Sequence, residues 1–136
     1  MVTKKPMSLA RARLYLRKAV EAQGPDFRYS SGVQAECRYV PTTEFGKDDP
    51  RATTGCLVGT ALKLAGYAVR DWRGSIGMVN HNSMDVDLTA EAVEYFQKAQ
   101  NLQDNGYTWG EALEAAERYA VAFMEDKKDK DRVCLS

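Results

Sequence analysis

The sequence predicts an α+β domain, predominantly helical, with about four helices around a buried central helix and two or three short strands. Three observations lead there. Apolar residues recur at helical spacing over three long segments. A shorter segment, Gly55–Ala65, is apolar round almost its whole circumference, which a helix tolerates only when other elements cover it. The stretch 26–54 alternates weakly between turn residues, as short strands do. At 136 residues and 44% hydrophobic, the chain has the size of one domain. That domain is assigned to residues 1–126, and residues 127–136 (KKDKDRVCLS) read as a charged, flexible tail.

The elements follow in order. Ser8 is placed to cap a helix reaching about Gln23, with Leu9, Ala12, Leu16, Ala19 and Val20 on one face. Gly24-Pro25 ends it. Phe27–Tyr29 and Glu36–Val40 read as two strands around the Ser30-Ser31-Gly32 turn, and Pro41 closes the second. The polar run Thr42–Thr54, containing Phe45, Gly46 and Pro50, reads as a long exposed loop. Gly55–Ala65 is the central helix, capped by Thr53 or Thr54 and stopped at Gly66. Val69–Val86 is irregular, with Ile76–Val79 as a third short strand. Thr89 opens a helix to about Asp104, with Ala92, Tyr95, Phe96, Ala99 and Leu102 on its stripe. After Asn105-Gly106, the capping box Thr108-x-x-Glu111 starts a fourth helix whose inner face carries Trp109, Ala112, Leu113, Ala116, Ala120, Phe123 and Met124.

Charge sums to zero but is split along the chain. Residues 1–73 hold 13 Lys/Arg against 7 Asp/Glu, and residues 74–136 hold 6 against 12. The halves must face each other or face partners. No apolar run approaches the roughly 18–20 residues that span a bilayer, so no membrane partner is expected. Residues 1–7 carry two lysines without a following apolar run, which reads as a cytoplasmic protein. Cys37, Cys56 and Cys134 are odd in number and lack a C-x-x-C pair, so the expectation is free thiols in a reducing compartment. With one histidine in the chain, neither a metal site nor a cofactor is expected.

Two constellations bear on function. Cys56 falls at the first turn of the central helix, where unpaired N–H groups and the helix dipole favour a thiolate. His81 and Asp85 follow, so nucleophile, base and orienting carboxylate are all present in the chain. The run Gly55–Gly66 looks like the nucleophile helix of papain-like cell-wall peptidases, although Leu57 and Val58 stand where that family has serine and glycine. The plainer reading is that Cys56 is a small buried hydrophobe. The second constellation is a set of contact residues. Trp72 lies between Arg70 and Arg73, a composition favoured at interface hot spots. Phe45 sits in the long loop, and Arg13 and Arg17 lie on the basic face of the first helix. That basic face also raises nucleic acid, but an isoelectric point of about 6.6 and the absence of a recognition motif argue against it.

The segments Cys56-Leu57-Val58-Gly59-Thr60-Ala61-Leu62 and Trp109-Gly110-Glu111-Ala112-Leu113 resemble the "C-x-x-G-x-A-L" and "W-x-x-A-L" helices of small uncharacterised actinobacterial and actinophage proteins. The resemblance covers about 60 residues in two blocks and implies a context without an activity: an actinobacterial protein, or a phage accessory protein acting inside such a host. The sequence therefore points to a non-enzymatic intracellular protein-interaction domain that contacts a host protein or a second copy of itself. The alternatives are a papain-like cysteine hydrolase or acyltransferase using Cys56, His81 and Asp85, and nucleic-acid binding through the first helix.

Overall fold

Ser8 turns extended backbone into helix: its hydroxyl accepts the Arg11 N–H at 3.3 Å, closing one of the free donors of the first turn. The helix that follows, α1 (Leu9–Gln23), buries Leu9, Ala12, Leu16, Ala19 and Val20. Gly24 stops it at φ 106°, with its N–H on the Val20 carbonyl. In a computed structural model, which describes residues 6–28, 56–67, 76–82 and 86–135, α1 is followed by α2 (Leu57–Leu64), α3 (Ile76–Asn82), α4 (Ala90–Asp104) and α5 (Trp109–Leu135). The four helices expected from the sequence start within two residues of their predicted positions, and α3 is additional. Thr89 caps α4 through the Ala92 N–H at 3.2 Å. The Thr108–Glu111 box is closed in both directions, with the Thr108 N–H on Glu111 and the Glu111 N–H on the Thr108 hydroxyl.

The fold is predominantly helical, and the described residues do not confirm the β part of the expectation. Among the described residues there is no strand, only isolated bridges: Met7 with Leu88, parallel, and Arg28 with Thr108, antiparallel. Phe27 and Arg28 run into the second of these. The remainder of the two predicted strands and the Thr42–Thr54 loop lie outside the described residues. Ile76–Val79 is not a strand but the first turn of α3. A four-residue apolar run does not distinguish the two periods, and the deciding contact is long-range: the Ile76 N–H donates to the buried Gln100 side chain at 2.9 Å. The cap of α2 also moves. It is Cys56, whose sulfur accepts the Gly59 N–H at 3.4 Å, and not Thr53 or Thr54. Residues 127–135, read as a tail, continue α5 as helix.

The two bridges set the topology. Met7 donates to the Asp87 carbonyl at 2.9 Å and accepts from Thr89 at 3.1 Å, so α1 and α4 start side by side. Trp109 donates to Phe27 and Gly110 to Pro25, each at 2.8 Å, so α5 starts where α1 ends and runs back along both. Gly110 is required there, because a Cβ would sit 2.8 Å from the Pro25 carbonyl oxygen. The α4–α5 connection is tight, with Gly106 at φ 87°. The hub is α4, which touches each of the other four helices, and not α2 as the sequence reading had it. Leu57, Val58, Ala61 and Leu62 of α2 are nonetheless fully buried in the common core with Leu16, Phe96, Tyr95 and Trp109.

Candidate functional site

Two polar clusters stand out: one inside this core, organised by α4, and one at its half-buried edge, centred on Glu117 of α5. The first is built by Gln100 and Gln103, each about 1% exposed. They lie four and seven residues after Phe96, on the buried stripe itself, where an apolar residue is the ordinary choice. Their carbonyl oxygens point at two helix starts. Gln103 Oε1 accepts the Leu57 N–H of α2 at 2.7 Å, and Gln100 Oε1 accepts the Ile76 N–H of α3 at 2.9 Å. Gln103 Nε2 donates to Asp104 Oδ1 at 2.8 Å. One helix thus supplies N-terminal acceptors to two others, satisfying donors that burial would otherwise strand. At the other end of α3, Asn80 grips Leu88 from both sides, accepting its N–H at 2.9 Å and donating to its carbonyl at 3.3 Å.

This frame decides where the candidate hydrolase residues stand. Cys56 is fully buried beside the C-terminal end of α4, through Leu57 and Gln103. His81 follows Asn80 in α3, and Asn80 is fixed to Leu88, ahead of the N-terminal end of α4. The backbone therefore carries Cys56 and His81 toward opposite ends of one helix. Cys56 is moreover disulfide-bonded, which corrects the expectation of free thiols. A sulfur held in a disulfide is not a nucleophile. Asp85 lies outside the described residues. Among the described residues there is no group of three His, Cys, Asp or Glu side chains suited to a metal ion.

The second cluster joins α1, α4 and α5. Glu117 receives Arg13 in a forked pair, Nε to Oε2 at 2.9 Å and Nη2 to Oε1 at 3.0 Å. Arg17 Nη2 reaches Oε1 at 2.8 Å and the Tyr95 hydroxyl donates to Oε2 at 2.7 Å. Burial alone would raise the Glu117 carboxyl, but the hydrogen bonds from Arg13, Arg17 and Tyr95 prevail and hold it at about 2. The same contact raises Arg13, and burial, with Glu117 opposite, pushes the Tyr95 phenol well up. The other basic residues at this part of α1 also have neighbours: Arg11 and Lys18 lie over the Tyr15 ring, 5.7 and 5.5 Å from its centre.

Arg13 and Arg17, read from sequence as contact residues, are thus brought together by an internal carboxylate. Arg70, Trp72, Arg73 and Phe45 lie outside the described residues. Glu117, Gln100 and Gln103 were not singled out by sequence reasoning. The glutamines had a signal, being polar residues on an apolar stripe. Glu117 had none that separates it from other acidic residues flanking such a stripe. No family model, curated protein or solved structure matches the chain. No helix among the described residues is long and apolar enough to cross a membrane.

Proposed function

We propose that this chain is a non-enzymatic protein-interaction domain, whose partner is a host protein or a second copy of itself. The observation that carries the proposal is the state of Cys56. Its sulfur is buried, disulfide-bonded and set as the cap of α2, so the strongest catalytic candidate has a structural occupation. The polar side chains buried in the core have similar duties, with Gln100 and Gln103 holding helix starts. The engagement of Arg13 and Arg17 with Glu117 weighs against phosphate binding through α1. Contact then falls to the residues that sequence composition marks: Trp72 with Arg70 and Arg73, and Phe45 in the Thr42–Thr54 loop.

An actinobacterial or actinophage setting, and a cytoplasmic location, belong to the same proposal. Disulfides persist where thiols are not continuously reduced, so a cytoplasmic location requires that burial of Cys56 shield its bond from reductant. The test joins light scattering of the purified chain over a range of concentrations with affinity capture from actinobacterial extract. A dimer, or a captured protein, that Trp72→Ala or Phe45→Ala releases while the thermal midpoint stays put supports the reading. A monomer at every concentration that captures nothing overturns it. Alkylation of Cys56 in the native, unreduced protein by iodoacetamide would favour the hydrolase instead.

A further inference from the structure

The chain has three cysteines, and Cys56 is disulfide-bonded, so its partner is Cys37 or Cys134. The described helices discriminate between them. Leu57, the next residue after Cys56, donates its N–H to Gln103 at the C-terminal end of α4. The turn at Asn105 and Gly106 brings the start of α5 to that same end, with Tyr107 donating back to Leu102. From Trp109 the chain runs as one continuous helix through Leu135, antiparallel to α4, and so away from Cys56. At 1.5 Å per residue, Cys134 lies about 37 Å along that helix from its start. A disulfide needs Cα atoms within roughly 7 Å. Cys134 fails that requirement several times over.

We propose that Cys56 is joined to Cys37, with Cys134 left as a thiol. The bond closes a ring over residues 37–56 and ties the chain ahead of α2 to the capping residue of that helix, in the buried core. Its formation is two thiol–disulfide exchanges with a small disulfide such as glutathione disulfide. The thiolate of one cysteine attacks the reagent and releases one glutathione. The second protein thiolate then attacks the mixed disulfide and releases another. The protein loses two hydrogens and the reagent is reduced to two thiols, so the balance closes. Because the Cys56 side is fully buried, a reductant reaches the bond chiefly when the fold opens, which makes it a staple and not a rapid switch.

Peptide mapping of the full-length chain decides the matter. After equilibration with glutathione and glutathione disulfide, the protein is alkylated in denaturant and cut with trypsin without reduction. Tryptic peptides 29–38, 52–63 and 133–136 each carry one cysteine. The expected result is 29–38 linked to 52–63, two hydrogens lighter than their sum, with 133–136 alkylated. Linkage through 133–136, a bond between two chains, or alkylated or glutathionylated 29–38 and 52–63 overturns the proposal. Thermal unfolding adds a second readout. Cys37→Ser is expected to lower the midpoint by about 10 °C, the scale for closing a ring of this length, and to abolish its response to dithiothreitol. Cys134→Ser is expected to keep both the midpoint and the response. Should Cys37→Ser not fold, the map of the wild type and of Cys134→Ser still decides.

Discussion

Glu117 accepts four hydrogen bonds from Arg13, Arg17 and Tyr95, and its ionisation is therefore tied to the joint between α1, α4 and α5. Its carboxyl titrates at about 2 in the fold, against 4.5 as the ordinary value. A depressed acid stabilises the fold fully above its unfolded value and loses that contribution as pH falls through the folded one. The contribution, about 2–3 kcal/mol, is thus complete above about pH 5 and gone near pH 2. Glu117→Gln is expected to lower stability by a similar amount at pH 7, with the gap to wild type closing below pH 4. Urea midpoints at pH 7, 4 and 2.5 measure it, and a gap independent of pH refutes the assignment. Gly110 is the other residue with a sharp expectation. A methyl there meets the Pro25 carbonyl oxygen at 2.8 Å, in the middle of the α1–α5 junction. Gly110→Ala is expected to cost about 1–3 kcal/mol by overpacking, where most interior helical glycines gain from the same change.

At the scale of elements, the sequence was legible wherever helix signals are local. Ser8, Thr89 and the Thr108–Glu111 box cap the helices that their spacing marks, and the stripes of α1 and α4 are the buried faces. It was illegible where an element depends on a distant residue. Ile76–Val79 forms helix because Gln100, 24 positions away, accepts its first N–H, and nothing in four apolar residues announces that. Cys56 likewise reads as a nucleophile only while its disulfide is out of view. The glutamine caps yield a discriminating pair of variants. Gln103→Leu keeps side-chain volume but strands the Leu57 N–H, and is expected to destabilise by about 1–3 kcal/mol. Gln103→Glu keeps the acceptor for the Leu57 N–H but replaces the amide that donates to Asp104 with a second carboxylate oxygen. It is therefore expected to be destabilised near neutral pH and to recover as pH falls and one carboxyl takes a proton. Equal losses for the two at every pH in chemical denaturation would show that packing, not capping, is what Gln103 contributes.

For the whole molecule, part of the division into a basic front and an acidic back is met within the fold, among the described residues, at one seam. The bridges at Met7–Leu88 and Arg28–Thr108 lay α1 against the α4–α5 pair, and Arg13 and Arg17 meet Glu117 across that seam. Retention on heparin is accordingly expected to be weak at physiological salt and unchanged by Arg13→Ala. A clear drop on that substitution would return nucleic acid to consideration.

The glutamine arrangement also constrains the order in which the protein assembles. The α4–α5 pair has what it needs locally: a tight turn, a capping box and contacts between neighbours in sequence, features that fold early. Helices α2 and α3 have eight and seven residues, too short to persist alone. Each gains its first buried acceptor only when the stripe of α4 is already in place. Folding should therefore proceed with α4–α5 as a template on which α2 and α3 dock late, and undocking should run in reverse. Native-state hydrogen exchange tests this directly. The Leu57 and Ile76 amides are expected to exchange through a partial opening of lower free energy than the central amides of α4, such as Ala99. If all of them exchange only on global unfolding, assembly is concerted and the template picture is wrong.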